Sequence, residues 1–314
     1  MNFFSRVWGR VSGKTARLHF ETAVRLRTKV AALSQVNKIQ KQTISSLRQQ
    51  LGGLSNGTGL PNYVDFIPEN ENSLKLFSGS WSSKFPNLDG PGNAGLFEDP
   101  RIQWLIEECG DITNWQVLEL GPLEGGHTYM LENAGAKVTS IEGNTQAFVR
   151  SLIAKNFTGL NAHYLLGDFT KSFGPPKDWD LIVASGVLYH MLEPGRLLEK
   201  MSESSDRLFL WTHYFEPDLT LWSPNWQQRL ESKWHQSEEY IVEIAGVKAR
   251  HVPYSYNEAL GWSGFCGGPA SQATWLYRDD IQLIMRNLGF KQFKYAFDDP
   301  AHPNGPAFCL FATK

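Results

Sequence analysis

The spacing of apolar and polar positions changes along this chain. From residue 114 onward, short apolar runs alternate with longer segments in which apolar residues recur at three- and four-residue intervals. The runs QVLEL at 116–120, KVTSI at 137–141, AHYLL at 162–166, DLIVA at 180–184, RLFLW at 207–211, 290–297 and AFCLFA at 307–312 predict strands. The segments 126–134, 144–156, 193–203 and 278–288 predict helices. Strands separated by such helices need crossover connections, which gives a parallel sheet with both faces covered. Only DDPAHPNGP joins the last two runs, so a hairpin there turns the final strand antiparallel.

Two other stretches carry different patterns. Leu26, Val30, Leu33, Asn37, Gln40, Ile44, Leu47 and Leu51 keep a 4–3 spacing, which predicts a helix whose heptad seam includes two polar residues. GGLSNGTGLP ends that helix. The expected organisation is a basic N-terminal helix over 1–52, a linker and N-terminal cap over 53–113, and an α/β domain over 114–314. Within that domain, residues 213–275 interrupt the alternation and hold Trp222, Trp226, Trp234, Trp262 and Trp275. An insertion of this length is usually functional. It is expected as a lid or wall over the carboxyl ends of the strands, where open α/β sheets bind ligands.

With 314 residues, 41 % of them hydrophobic and 20 % charged, the chain fits one large globular domain plus an appendage. No apolar run approaches the roughly 20 residues of a membrane span. Cys109, Cys266 and Cys309 make no CxxC spacing, which fits buried thiols in a reducing, cytoplasmic setting. The net charge of −2 hides an asymmetry: residues 1–51 carry +9 and the remainder −11. Three readings of this arm stand open. One is a homo-oligomer through 26–51. Another is a basic amphipathic helix on an anionic membrane surface or a nucleic acid, which Phe3, Phe4, Val7, Trp8 and Val11 beside Arg6 and Arg10 would suit. The third is an organelle transit peptide. A secretory signal does not fit, because no uninterrupted apolar core follows the charges.

The candidate chemistry begins in VLELGPLEGGHTYMLENAGAKVTSIEGN, residues 117–144. Gly121, Gly125 and Gly126 follow a strand and precede a helix, where glycine lets the backbone turn sharply and approach a ligand. Glu142 ends the next strand, placed to accept both hydroxyls of a ribose. Pro122 offers no N–H to a pyrophosphate, and Glu124 puts a negative charge where a phosphate would sit. Both point to an adenosine ligand without phosphates, and S-adenosylmethionine is one. Glu119 is then placed for its amino group, directly or through water. In LLGDF, Asp168 can accept the adenine amino hydrogens and the Phe169 amide can donate to a ring nitrogen. Ser185, directly after the fourth strand, completes the expected cofactor contacts.

Over 114–204 and the final helix and strands, these motifs resemble the class I S-adenosylmethionine-dependent methyltransferases. The resemblance implies a Rossmann-like α/β fold with helices on both faces. It implies a seven-stranded, mostly parallel sheet of order 3-2-1-4-5-7-6, with strand 7 antiparallel. Leu123 departs from the pattern, standing where many members have the middle glycine. GVLYH at 186–190 is similar to a segment of the tRNA wobble-uridine carboxymethyl-transferring methyltransferases. That likeness implies Tyr189 near the transferred group and His190 near the acceptor; ordinary S-adenosylmethionine remains the preferred cofactor.

Methyl transfer is an in-line displacement that requires two atoms to be positioned and, for a hydroxyl acceptor, a proton to be removed. His190 is the first candidate base and His213 the second. Trp262, Phe265 and Trp275 are candidates to stack on a sugar ring or a base. No metal is expected, since GVLYH lacks the acids that metal-using relatives carry there. The expected activity is methyl transfer to a hydroxyl or amine of a small-molecule or glycan-like acceptor. A tRNA-modifying methyltransferase is the alternative within enzymes, disfavoured by the acidic body. A non-catalytic scaffold on the same fold is the other alternative.

Overall fold

The computed structural model describes residues 29–30, 33, 60, 63–88, 92–174, 178–227, 238–256, 267–268 and 270–314. The chain divides into two units, residues 1–69 and 70–314. In the first, Val30 and Leu33 of the heptad seam are helical and exposed. The rest of the seam, and with it the oligomer, membrane-surface and transit-peptide readings of the arm, lies outside the described residues. No helix among the described residues is long and apolar enough to cross a membrane.

The second unit is built on a seven-stranded sheet. Its strands are β1 (Gln116–Leu120), β2 (Lys137–Glu142), β3 (His163–Leu166), β4 (Leu181–Ser185), β5 (Arg207–His213), β9 (Gln292–Asp299) and β10 (Ala307–Thr313). They lie in the order β3-β2-β1-β4-β5-β10-β9. Strands β1 to β5 pair in parallel, and β10 runs antiparallel to both β5 and β9. The expected order and the reversed final strand are therefore both present.

Successive residues of the central strands point to opposite faces, and both faces are apolar, as a covered parallel sheet requires. Leu118, Leu120, Ile182, Ala184 and Leu210 face one layer. That layer includes Leu197, Leu198 and Met201 of helix α4 (Pro194–Ser204) and Ile281, Ile284 and Met285 of helix α5 (Arg278–Asn287). Val117, Leu181, Val183 and Phe209 face the other. There they meet Ile102 and Leu105 of α1 (Pro100–Cys109) and Leu131 of α2 (Gly126–Asn133).

Helix boundaries follow local chemistry. Asp99 caps α1 by accepting the Arg101 N–H, and Pro100 takes the first turn, where a missing N–H costs nothing. Asn144 caps helix α3 (Thr145–Thr158), which ends at the left-handed Gly159. Residues 70–98, within the stretch expected as linker and cap, carry Leu74, Trp81, Phe85 and Phe97. These pack on Ala154 and Phe157 of α3, so this part of the segment is an integral layer of the second unit.

The insertion holds structure that the periodicity does not predict. Strands β6 (Tyr240–Ile244), β7 (Val247–Ser255) and β8 (Gln272–Leu276) form a separate antiparallel sheet of order β6-β7-β8. Ala245 and Gly246 make the β6–β7 turn, both at positive φ (49° and 76°), as a tight hairpin demands. Ala245 is not a residue that signals such a turn, and Pro253 inside β7 argues against a strand. Ile244, Val247, Ala249 and Leu276 join the core beside α4 and α5. Part of the insertion is thus a supporting layer as well as a wall.

Candidate active site

A cleft of about 1290 Å³ opens at the carboxyl ends of β1 to β4. Its walls come from the turn after β1 (Gly121, Pro122, Leu123), from Glu142 to Gln146 after β2 and from Leu166 to Lys171 after β3. Ser185 to Glu193 close it after β4, with Trp211 of β5 and Gly268 and Ala270 of the insertion.

Glu142 is nearly buried at the end of β2 and lines this cleft. Its Oε1 accepts the Asn144 N–H at 2.8 Å and its Oε2 the Leu123 N–H at 3.2 Å. Burial pushes its pKa up, against the pull of those amides. Each oxygen keeps a second lone pair for a ligand. Leu123, at the position many methyltransferases fill with glycine, adopts the left-handed φ of 55° that glycine would take freely. That conformation aims its amide at Glu142.

The other acid of the turn does not behave as expected. Glu124 is fully buried and points away from any ligand. It accepts the Ser82 and Ser83 amides at 2.9 and 2.7 Å, and its Oε1 lies 3.1 Å from Arg150 Nε. Glu124 therefore fastens the 70–98 segment to α3, and the argument that it repels a phosphate falls. Pro122, which lines the cleft, remains as the feature that denies a pyrophosphate its amide.

Glu119 and Gly125 were expected at the ligand, and neither lines the cleft. At Gly125 (φ 79°) a Cβ would come within 2.3 Å of Tyr164 Oη, so this glycine serves close packing. Glu119 is buried behind the cleft wall. Its Oε2 accepts the Thr128 hydroxyl and, at 3.1 Å, the Ser140 hydroxyl. Its Oε1 has no hydrogen-bond partner among the described residues. Between it and the cleft stands His127, a lining residue that the sequence reading left without a role.

After β3, Asp168 Oδ1 accepts the Thr170 hydroxyl (2.6 Å) and N–H (2.9 Å), which lowers the Asp168 pKa; Oδ2 lies 3.8 Å from Lys171 Nζ and makes no hydrogen bond among the described residues. Phe169 lines the cleft, and its N–H finds no partner among the described residues. Lys200 of α4 donates to the carbonyls of Phe169 and Thr170 at 3.0 and 2.9 Å and so holds this loop in place. Nothing local in the sequence links Lys200 to a loop about 30 residues away.

Tyr189 and His190 sit on a short helical turn, Leu188–His190, and both line the cleft, as does Ser185. His190 Nδ1 lies 2.7 Å from Tyr256 Oη, a contact from the insertion that sequence spacing could not reveal. Burial, with His213 nearby, lowers the His190 pKa to about 3, so its imidazole is neutral and unprotonated at neutral pH.

His213 and Trp275 do not line the cleft but pack behind Tyr189, with ring centroids 4.6 and 6.1 Å from its own. The His213 Nδ1–H donates to the Gly305 and Pro306 carbonyls at 3.0 and 3.1 Å, and its ring stacks on Trp275 with centroids 5.3 Å apart. Trp275 is buried in a cluster with Trp222, Trp226, Tyr254 and Tyr256. Its aromatic faces are used up by that packing, against the expectation that it stacks on a ligand. Trp262 and Phe265 lie outside the described residues.

No family model matches this chain, and no curated protein matches it in sequence. Among solved structures it is similar to the N-terminal domain of EvdMO1 crystallised in the presence of SAH (S-adenosylhomocysteine) and D-fucose. That likeness has 19 % identity over 78 % of this chain and 94 % of that one, with a TM-score of 0.56. The same domain with SAH bound matches with the same identity, coverage and TM-score. The likeness establishes a shared fold.

Proposed function

We propose that this chain is an S-adenosylmethionine-dependent methyltransferase that acts on a hydroxyl or amine of a small, sugar-like acceptor. The observation that carries this reading is the convergence of Glu142, the Asp168–Phe169 loop and the Gly121–Leu123 turn on one cleft. The SAH bound to the structurally similar EvdMO1 domain supports the cofactor, and the D-fucose present with it supports the acceptor class.

The residues present fit the cofactor. Glu142 has one lone pair on each oxygen for the two ribose hydroxyls, after its contacts to Asn144 and Leu123. Asp168 Oδ2 accepts from the adenine amino group, and the Phe169 N–H donates to the ring. S-adenosylmethionine, when bound, supplies a methyl group on a sulfonium centre. Tyr189 and His190 hold the acceptor on the β4 side of the cleft. When the His190 Nδ1–H donates to Tyr256, His190 Nε2 is open to take the proton of an acceptor hydroxyl. Burial keeps Nε2 free of a proton beforehand, and by the same lowered pKa makes it a weak base.

The test is a labelled-methyl assay: full-length protein, S-adenosylmethionine carrying a radioactive methyl and a panel of free and nucleotide-linked sugars. Transfer of label to a sugar is the expected result; label on none of them, with transfer to RNA instead, removes the sugar reading. The narrower kinship to the tRNA wobble-uridine enzymes rests on residues 186–190 alone.

A further inference from the structure

We propose that Lys200 is a positioning residue for the base of the cofactor. By gripping two consecutive carbonyls it sets the Asp168–Phe169 loop to take a purine that bears an amino group and to reject its oxo counterpart. The inference rests on the cofactor assignment above and adds to it the source of selectivity for the base.

Lys200 stands on α4 and lines the cleft together with Asp168, Phe169 and Thr170. Its Nζ donates to the Phe169 carbonyl at 3.0 Å and to the Thr170 carbonyl at 2.9 Å. No backbone N–H among the described residues reaches either carbonyl. The ammonium also lies 4.9 Å from the centroid of the buried Phe173 ring, which steadies the long side chain at a second point. The peptide unit between Phe169 and Thr170 is thereby held at both ends. Its carbonyl accepts from Lys200, and its N–H donates to Asp168 Oδ1 at 2.9 Å. Lys200 thus fixes the plane that aims the Asp168 carboxylate. Without it, that unit keeps only its contact to Asp168.

The chemistry of the held groups is complementary to one kind of base. The Thr170 hydrogen bonds lower the Asp168 pKa, and the charges of Lys171 and Lys200 act in the same direction. An ionised carboxylate can only accept. Asp168 Oδ2 makes no hydrogen bond among the described residues; the exposed Lys171 ammonium is 3.8 Å away. Next to it, the Phe169 N–H is a donor with no partner among the described residues. An acceptor beside a donor matches adenine, whose amino group donates and whose adjacent ring nitrogen accepts. In the oxo purine an oxygen replaces the amino group and that nitrogen gains a hydrogen, so both contacts become repulsive. Such a site discriminates only while its polar groups are kept in place.

The test is calorimetry on the full chain with two probes, S-adenosylhomocysteine and S-inosylhomocysteine, which differ only in that amino group and its oxo replacement. The native chain is expected to prefer the adenosine compound about tenfold or more. Lys200→Met keeps the length of the side chain and removes its donors; the preference should fall to about threefold or less, mainly through weaker binding of the adenosine compound. Lys200→Arg retains donors for both carbonyls and should stay within about threefold of the native preference. Melting temperatures of all three chains are read alongside. An unchanged preference in Lys200→Met, even with a lowered melting temperature or an equal loss for both probes, overturns the inference and leaves the cofactor assignment intact. So does a preference lost equally in Lys200→Arg, or a native chain that binds both probes alike. A native chain that binds neither probe overturns both.

Discussion

The two sides of the cleft are built by different means. On the cofactor side, Glu142, Asp168 and the glycine turn sit at strand ends and are held mostly by contacts a few residues away or by a neighbouring strand, with Lys200 of α4 added at the 168–170 loop. On the acceptor side, Tyr189 and His190 depend on the insertion: Tyr256 grips His190, and the Thr274 N–H donates to the Met191 carbonyl. Under the proposed function, the first arrangement serves a common adenosine. On the same reading, the second makes acceptor choice a matter of long-range packing by an insertion that also contributes Ile244, Val247 and Ala249 to the core.

The sharpest way to break this comparison is at Glu124, which belongs to the cofactor turn by position but to the scaffold by contact. Glu124→Ala leaves Arg150 buried without its partner, and removing one member of a buried pair costs about 3–5 kcal/mol. Denaturant unfolding should register that loss. A stable variant with impaired cofactor binding would return Glu124 to the ligand.

Next comes His190→Ala, expected to lower turnover about a hundredfold, in the range of general acid–base contributions. Affinity for S-adenosylhomocysteine should stay within about twofold, since the two sides are separate. Turnover measured at saturating acceptor decides it, and an undiminished rate removes His190 as the base.

The smallest expected effect is on acid stability. Burial lowers the pKa of His190 to about 3 and, despite the opposing Gly305 and Pro306 carbonyls, that of His213 to about 4. Their unfolded values lie near 6.5. Between those limits the unfolded chain binds more protons, so stability falls as pH drops below 6.5 and is full above it. For His213 alone the loss at pH 5.5 is about 1 kcal/mol. His213→Asn should flatten the melting temperature between pH 7 and 5; an unchanged slope would mean that His213 is not held neutral.

How much of this could be read from the sequence follows the same division. The strands and helices emerge from periodicity, because each strand is a short apolar run between recognisable turns; the sheet order comes from the resemblance alone. Glu142 and Asp168 are legible because strand ends are. Glu124 is not: its partners, Ser82, Ser83 and Arg150, come from segments whose proximity no spacing announces. His213 and Trp275 read as site residues because a histidine after a strand and an indole in a glycine- and aromatic-rich stretch suit chemistry. Both instead pack behind Tyr189, a cleft-lining residue, and neither lines the cleft itself. The β6-β7-β8 sheet is hidden by an Ala-Gly turn and a proline within a strand.

The central claim is that Glu142 holds the ribose of a phosphate-free adenosine cofactor. Isothermal titration with S-adenosylhomocysteine tests it most directly, run on the native chain and on Glu142→Gln. The account predicts one site per chain in the native protein and a tenfold to hundredfold weakening, about 1.5–3 kcal/mol, in the variant. No heat and no melting shift with the native chain, or equal affinity in the variant, would contradict it.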